Sequence, residues 1–130
     1  MSTRALIIGK DRSGRYHYGQ TKYDGMDNLE WLQQNMNTAD KVEDFLHYMT
    51  EGIDEGSGEG HGISFLGYEV TNDWYNRKKD TSNPYIDWYD EGYNCGIADS
   101  KKAILEMVEK QHFDFPEYIS YWDGEKWKNI

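Results

Sequence analysis

Four histidines, one cysteine and a surplus of carboxylates are the groups in this chain able to do nucleophilic, acid–base or metal chemistry. The histidines stand at 17, 47, 61 and 112. None lies at i, i+4 with another or beside Cys95, so the short ligand spacing of a zinc site is missing. Cys95 could be matched with His61 or His112 as nucleophile and base, yet only residue type joins them, and a lone cysteine reads as a small packed residue. The carboxylate pairs Asp54-Glu55 and Asp90-Glu91 are adjacent in sequence. Neighbours in extended chain point opposite ways and do not converge for proton transfer. From these patterns no catalytic residue, no metal site and no cofactor is expected.

Two other constellations could bind without reacting. Arg4, Arg77, Lys78 and Lys79 are the main cations for a phosphate, and Tyr23, Trp74 and Tyr75 could stack on a base. Together with Asp24, these residues define a nucleotide or phosphate-ligand site as one alternative. The plainer alternative makes Arg4 a sheet cation paired with Asp24, and residues 77–79 a solvated turn. The second constellation is acidic and aromatic: Asp73, Trp74, Tyr75, Asp87, Trp88, Tyr89, Asp90 and Glu91. Carboxylates steer the approach of a basic protein, and exposed Trp and Tyr anchor it. The alternative there is a solvated face over aromatics that belong to the core.

The charge distribution favours the second constellation. Of a formal net charge of -10, residues 40–91 carry -9, residues 92–130 carry -2 and residues 1–39 carry +1. Such a field repels nucleic acid and reaches about 8 Å at physiological salt, so direct nucleic-acid binding is not expected. The glycine-rich stretch from Gly52 to Gly62 has neither the Lys-Ser/Thr pair of a phosphate loop nor the alternating oxygen ligands of a calcium loop. It is expected to be a mobile surface loop.

The elements that must position these groups follow from composition and periodicity. The 130 residues suit one domain with one core. Ile, Leu, Val and Phe number only 22, so eleven Tyr and five Trp are needed to fill that core, which should be largely aromatic. No apolar run reaches the ~20 residues of a membrane span, and no signal peptide is evident. A single cysteine suits a reducing cytoplasm.

Arg4 to Gly9 and Arg15 to Tyr23 flank the turn chemistry of Asp11-Arg12-Ser13-Gly14 and predict a hairpin. Asp27 with Glu30 has capping-box spacing for a short helix whose inner face is Leu29, Leu32 and Met36. Thr38 caps a better helix to Thr50, because Val42, Phe45, Leu46 and Met49 form one apolar stripe, and Gly52 ends it.

Ile63 to Val70 reads as a strand and Tyr85 to Tyr89 as an edge strand. A third helix runs from Asp99 or Ser100 to about Gln111, with Ala103, Ile104, Met107 and Val108 inward. Tyr118–Trp122, Asp123-Gly124 and Lys126–Lys128 make a second hairpin. The order β-β-α-α-β-(β)-α-β-β predicts an α+β domain: an antiparallel sheet of four to six strands with two or three helices on one face.

Several stretches resemble a family of small, acidic, aromatic-rich proteins encoded by tailed bacteriophages. The opening Met1-Ser2-Thr3-Arg4 is similar to that family's Met-x-Thr-Arg, and Tyr23-Asp24-Gly25 to its aromatic-Asp-Gly triplet. Thr38 to Leu46 resembles its capped helix, and Tyr75-Asn76-Arg77-Lys78-Lys79-Asp80 its aromatic-x-Arg-basic stretch. Glu117 to Gly124 with Trp127 is similar to its tail. The pieces come in the same order over nearly the whole chain. After Gly25 the chain departs from the family, with Met26-Asp27-Asn28 in place of an aromatic-Pro and glycine-rich turn. The resemblance implies a phage-encoded protein acting in the infected cell's cytoplasm and supplies no activity. The expectation is therefore a non-enzymatic inhibitor or modulator of a host protein, of defence or of nucleic-acid binding, with nucleotide sequestration as the alternative.

Overall fold

The β-branched run near the N-terminus forms β1 (Ala5–Lys10), buried over its first five residues. It pairs antiparallel with β2 (Tyr16–Thr21). The turn between them closes through Asp11 N–H to Arg15 O, 2.8 Å, and Gly14 N–H to Asp11 O, 3.1 Å. Gly14 sits at φ 92°, the left-handed position that follows a type I turn in a three-residue hairpin loop. The computed structural model describes residues 4–21, 25–53, 56–59, 68–69, 78–79, 94–110 and 116–130.

The remaining elements are α1 (Gly25–Asn35), α2 (Ala39–Met49), β3 (Gly56–Glu59), β4 (Tyr68–Glu69), β5 (Lys78–Lys79), β6 (Asn94–Ala98), α3 (Lys101–Glu109), β7 (Tyr118–Trp122) and β8 (Trp127–Asn129). Six strands form one sheet in the order β3-β6-β2-β1-β7-β8, and β4 and β5 pair apart from it. The α+β class read from the element order is the one observed. None of the described helices is long and apolar enough to cross a membrane.

One ladder departs from the expected antiparallel pattern: β1 and β7 are parallel, with Ile7 opposite Ser120. The cause is the route of the chain. β6 and β7 both run parallel to β1, so their connection must cross over the sheet, and α3 lies on that crossover. The first face is already covered, because α1 and α2 pack there with Ile7, Cys95, Trp122 and Trp127. Consequently α3 sits on the other face, where Ile104, Leu105, Met107 and Val108 meet Leu6, Ile8 and Tyr18. Two helices share one face as expected, and the third does not.

The capped helices follow their sequence signals. Thr38 Oγ1 accepts from Lys41 N–H and Ser100 Oγ from Ala103 N–H, each satisfying a first-turn donor that the helix cannot. The buried residues of α2 are Val42, Phe45, Leu46 and Met49, the stripe read from periodicity. Helix α1 begins at Gly25, two residues before the expected Asp27 cap. The described core mixes aliphatic side chains with Tyr18, Trp31, Phe45, Trp122 and Trp127 rather than being mainly aromatic. The sparse aliphatic residues are concentrated in the elements that form it.

Helix α2 lies low over the central hairpin because two glycines clear its path. A Cβ on Gly9 would come within 2.8 Å of Leu46, and one on Gly19 within 2.5 Å of Met49 Sδ. Across the ladder Gly9 faces His17 and Ile7 faces Gly19. His17 therefore projects from β2 beneath the last turn of α2.

The glycine-rich stretch corrects another expectation. Residues 56–59 are strand rather than loop, pairing antiparallel with β6 at the sheet's edge. Glycines on both strands permit this: a Cβ on Gly96 would lie 2.5 Å from Gly56 O. The rest of the strand expected over Ile63–Val70, apart from β4, and the edge strand over Tyr85–Tyr89 lie outside the described residues.

Candidate functional site

Where the β1–β2 turn meets the C-terminal turn of α2, six polar side chains converge. Asp11 organises the turn through one oxygen: Oδ1 accepts from Ser13 N–H (2.8 Å), Ser13 Oγ (2.6 Å) and Arg15 N–H (3.0 Å). Its other oxygen, Oδ2, is 2.6 Å from His17 Nε2. The second ring nitrogen, Nδ1, is 2.7 Å from Thr50 Oγ1. His47, one turn before Thr50 on α2, sets its ring edge-on to His17 at 4.9 Å between centroids. Its Nε2 is 2.9 Å from Glu43 Oε1, and Glu43 Oε2 accepts from Arg12 N–H at 3.0 Å. Arg12 also pairs with Asp40 at the surface.

Burial divides the cluster. Asp11, His17 and Thr50 are 6%, 1% and 3% exposed, whereas the His47 side chain is 58% exposed. Burial pushes the His17 pKa below its ordinary value, by more than the hydrogen bond and charge of Asp11 raise it. For Asp11, burial alone would raise the pKa. The hydrogen bonds from Ser13, His17 and Arg15 outweigh it and hold the carboxyl well below the usual carboxylate range. The stable arrangement is thus neutral His17 beside ionised Asp11. Nε2–H donates to Asp11, and Thr50 donates its hydroxyl to Nδ1. Leu46 O, which takes the Thr50 backbone N–H, lies 3.0 Å from the same hydroxyl and is its second acceptor.

The sequence Asp–His–Thr has the composition of a nucleophilic relay, but its geometry does not serve one. The hydroxyl that would attack is sealed inside, and substrate cannot reach it. What remains open is the rim. A shallow groove of about 170 Å³ lies beside the cluster, lined in part by Asp11, Arg12 and Glu43.

The residues expected to bind a partner are placed as follows. Asp73, Trp74, Tyr75, Asp87, Trp88, Tyr89, Asp90 and Glu91 lie outside the described residues, as do Tyr23, Asp24 and Arg77. Arg4 is exposed just before β1, with its carbonyl accepting from Glu117 N–H. Lys78 and Lys79 form β5, opposite Glu69 and Tyr68. Cys95 is fully buried in the core, as a packed residue should be. The juxtaposition of His17 and His47 has no local sequence signal, since thirty positions separate them. Only the hairpin turn before His17 and the helix carrying His47 could be read separately.

No family model, curated protein or solved structure matches the chain.

Proposed function

We propose that this protein is a non-enzymatic binder, of the kind phages encode, that inhibits or modulates a basic host protein through the acidic, aromatic surface of its central third. The observation that carries this is the concentration of charge, a net -9 within residues 40–91 out of -10 for the whole chain. The segment opens on the solvent face of α2 and the turn after it, where Asp40, Asp44 and Glu51 are exposed. A field gathered in this way accelerates encounter with a positively charged partner and weakens as salt rises.

The test is capture of host proteins from infected-cell lysate at low and high salt. It is run with the wild-type chain and with the charge-reversed triple variant Asp40→Lys, Asp44→Lys, Glu51→Lys. A basic partner retained at low salt, released at high salt and lost by the variant supports the proposal. A nucleotide that raises the melting temperature, with that rise abolished by Arg4→Ala and Arg77→Ala and no salt-sensitive partner found, replaces it with ligand sequestration.

A further inference from the structure

We propose that Asp11, His17 and His47 form a binding site for a borderline divalent transition-metal ion of the Zn2+ class. One ligand atom from each of the three lies within 4.8 Å of the others. Two imidazoles and one carboxylate suit Zn2+ and its first-row neighbours, whereas Mg2+ and Ca2+ take oxygen ligands. Bonds of about 2.0–2.1 Å place ligand atoms roughly 3.3 Å apart in a tetrahedral site. The cluster must therefore open the 2.6 Å contact between His17 Nε2 and Asp11 Oδ2 and draw His47 inward. His47 is the member free to do so, being more than half exposed on the last turn of α2. Three protein ligands leave the fourth position of a tetrahedral ion to water.

The surroundings of these three groups fit a metal centre. Asp11 Oδ1 is held by three donors, which leaves Oδ2 as a single fixed ligand. His17 needs its Nε2 proton removed to coordinate, and Thr50 provides for that. When the imidazole proton sits on Nδ1, Thr50 Oγ1 accepts it at 2.7 Å and turns its own proton to Leu46 O at 3.0 Å. A ligating histidine commonly donates its second nitrogen to such an acceptor. Glu43 does the same service for His47, and the backbone N–H of Arg12 fixes Glu43 in turn. The hydrogen-bond frame is complete without the metal, and receiving it takes a change of tautomer at His17 together with the inward shift of His47. This inference does not depend on the acidic-surface proposal.

The experiment titrates Zn2+ alone into the full-length chain after chelator treatment, with a chromophoric chelator as competitor. Co2+ absorption reports the ligand field. One ion per chain is expected, and Glu43→Gln should weaken it by about 10–100-fold. His47→Ala removes a ligand outright and should weaken it further, while His61→Ala and His112→Ala leave it unchanged. Because His47 is exposed, its variant should keep the wild-type circular dichroism. In the wild-type chain, imidazole nitrogen resonances of His17 and His47 should shift together with Zn2+, a readout that needs no variant. The proposal is overturned if Zn2+ does not bind, if His47→Ala leaves the affinity unchanged, or if Co2+ shows thiolate charge transfer implicating Cys95.

Discussion

Asp11 joins the hairpin turn to the buried face of β2 through two oxygens that do different work, so two substitutions separate them. Asp11→Ala removes the acceptor of Ser13 N–H, Ser13 Oγ and Arg15 N–H, and leaves His17 Nε2–H buried with no acceptor. Orphaning a buried imidazole N–H costs about 1–3 kcal/mol and losing hydrogen bonds to a carboxylate about 1.5–3 kcal/mol, so a loss of about 3–5 kcal/mol is expected. Against a whole-domain stability of about 5–15 kcal/mol this is a large share. Asp11→Asn keeps an oxygen for the turn and presents an amide N–H to His17. The imidazole can answer by moving its proton to Nδ1, donating to Thr50, whose hydroxyl then turns to Leu46 O. Every group is again paired, and the expected cost falls to about 1–2 kcal/mol, the loss of charge assistance. Urea unfolding at neutral pH, with midpoints compared at a common slope, measures both. Equal losses for the two variants would refute the tautomer exchange. A loss below about 1 kcal/mol for Asp11→Ala would refute the network's role in stability.

Further outcomes follow from other parts of the fold. Trp127→Ala should cost about 3–5 kcal/mol by urea unfolding, since Trp127 is 3% exposed, packs on Phe45 and Trp122, and donates Nε1–H to Met36 O at 3.0 Å; a loss under about 1 kcal/mol would show that this end of the core repacks freely. Gly19→Ala should destabilise by about 1–3 kcal/mol through overpacking, because its new Cβ would meet Met49 Cγ at 2.9 Å as well as Sδ at 2.5 Å; wild-type stability in that variant would mean that α2 does not sit flush on the hairpin. The Asp123 carboxyl, held below its ordinary value by the backbone N–H groups of Lys126 and Glu125, should titrate below the usual carboxylate range in a carboxyl-detected NMR titration. A depressed folded-state pKa means that its stabilisation of the β7–β8 turn is present above about pH 3.9 and drains away as pH falls through the lower folded value; Asp123→Asn should therefore flatten the acid limb of the stability profile, and an unchanged limb would contradict the assignment.

Much of the local structure could be read along the chain, because its causes are local. Thr38 and Ser100 cap their helices through donors three residues away, and the α2 stripe needs nothing beyond helical periodicity. The two hairpins are likewise set by turn residues between short apolar runs. Pairings over long separations were a different matter. The sequence did not show that β6 inserts between β2 and a glycine-rich edge strand, because glycines carry no hydrophobic pattern to mark the register. Nor did it show that β7 lies parallel to β1, since that depends on the chain crossing the sheet from β6 to the far side of β1. The three proposed metal ligands follow the same division. Each belongs to an element legible by itself, yet Asp11, His17 and His47 meet only because Gly9 and Gly19 let α2 settle onto the hairpin. Spacing along a chain reports neighbours within a turn or a strand, and contact between a strand and a helix thirty residues on is decided by how closely their surfaces can approach.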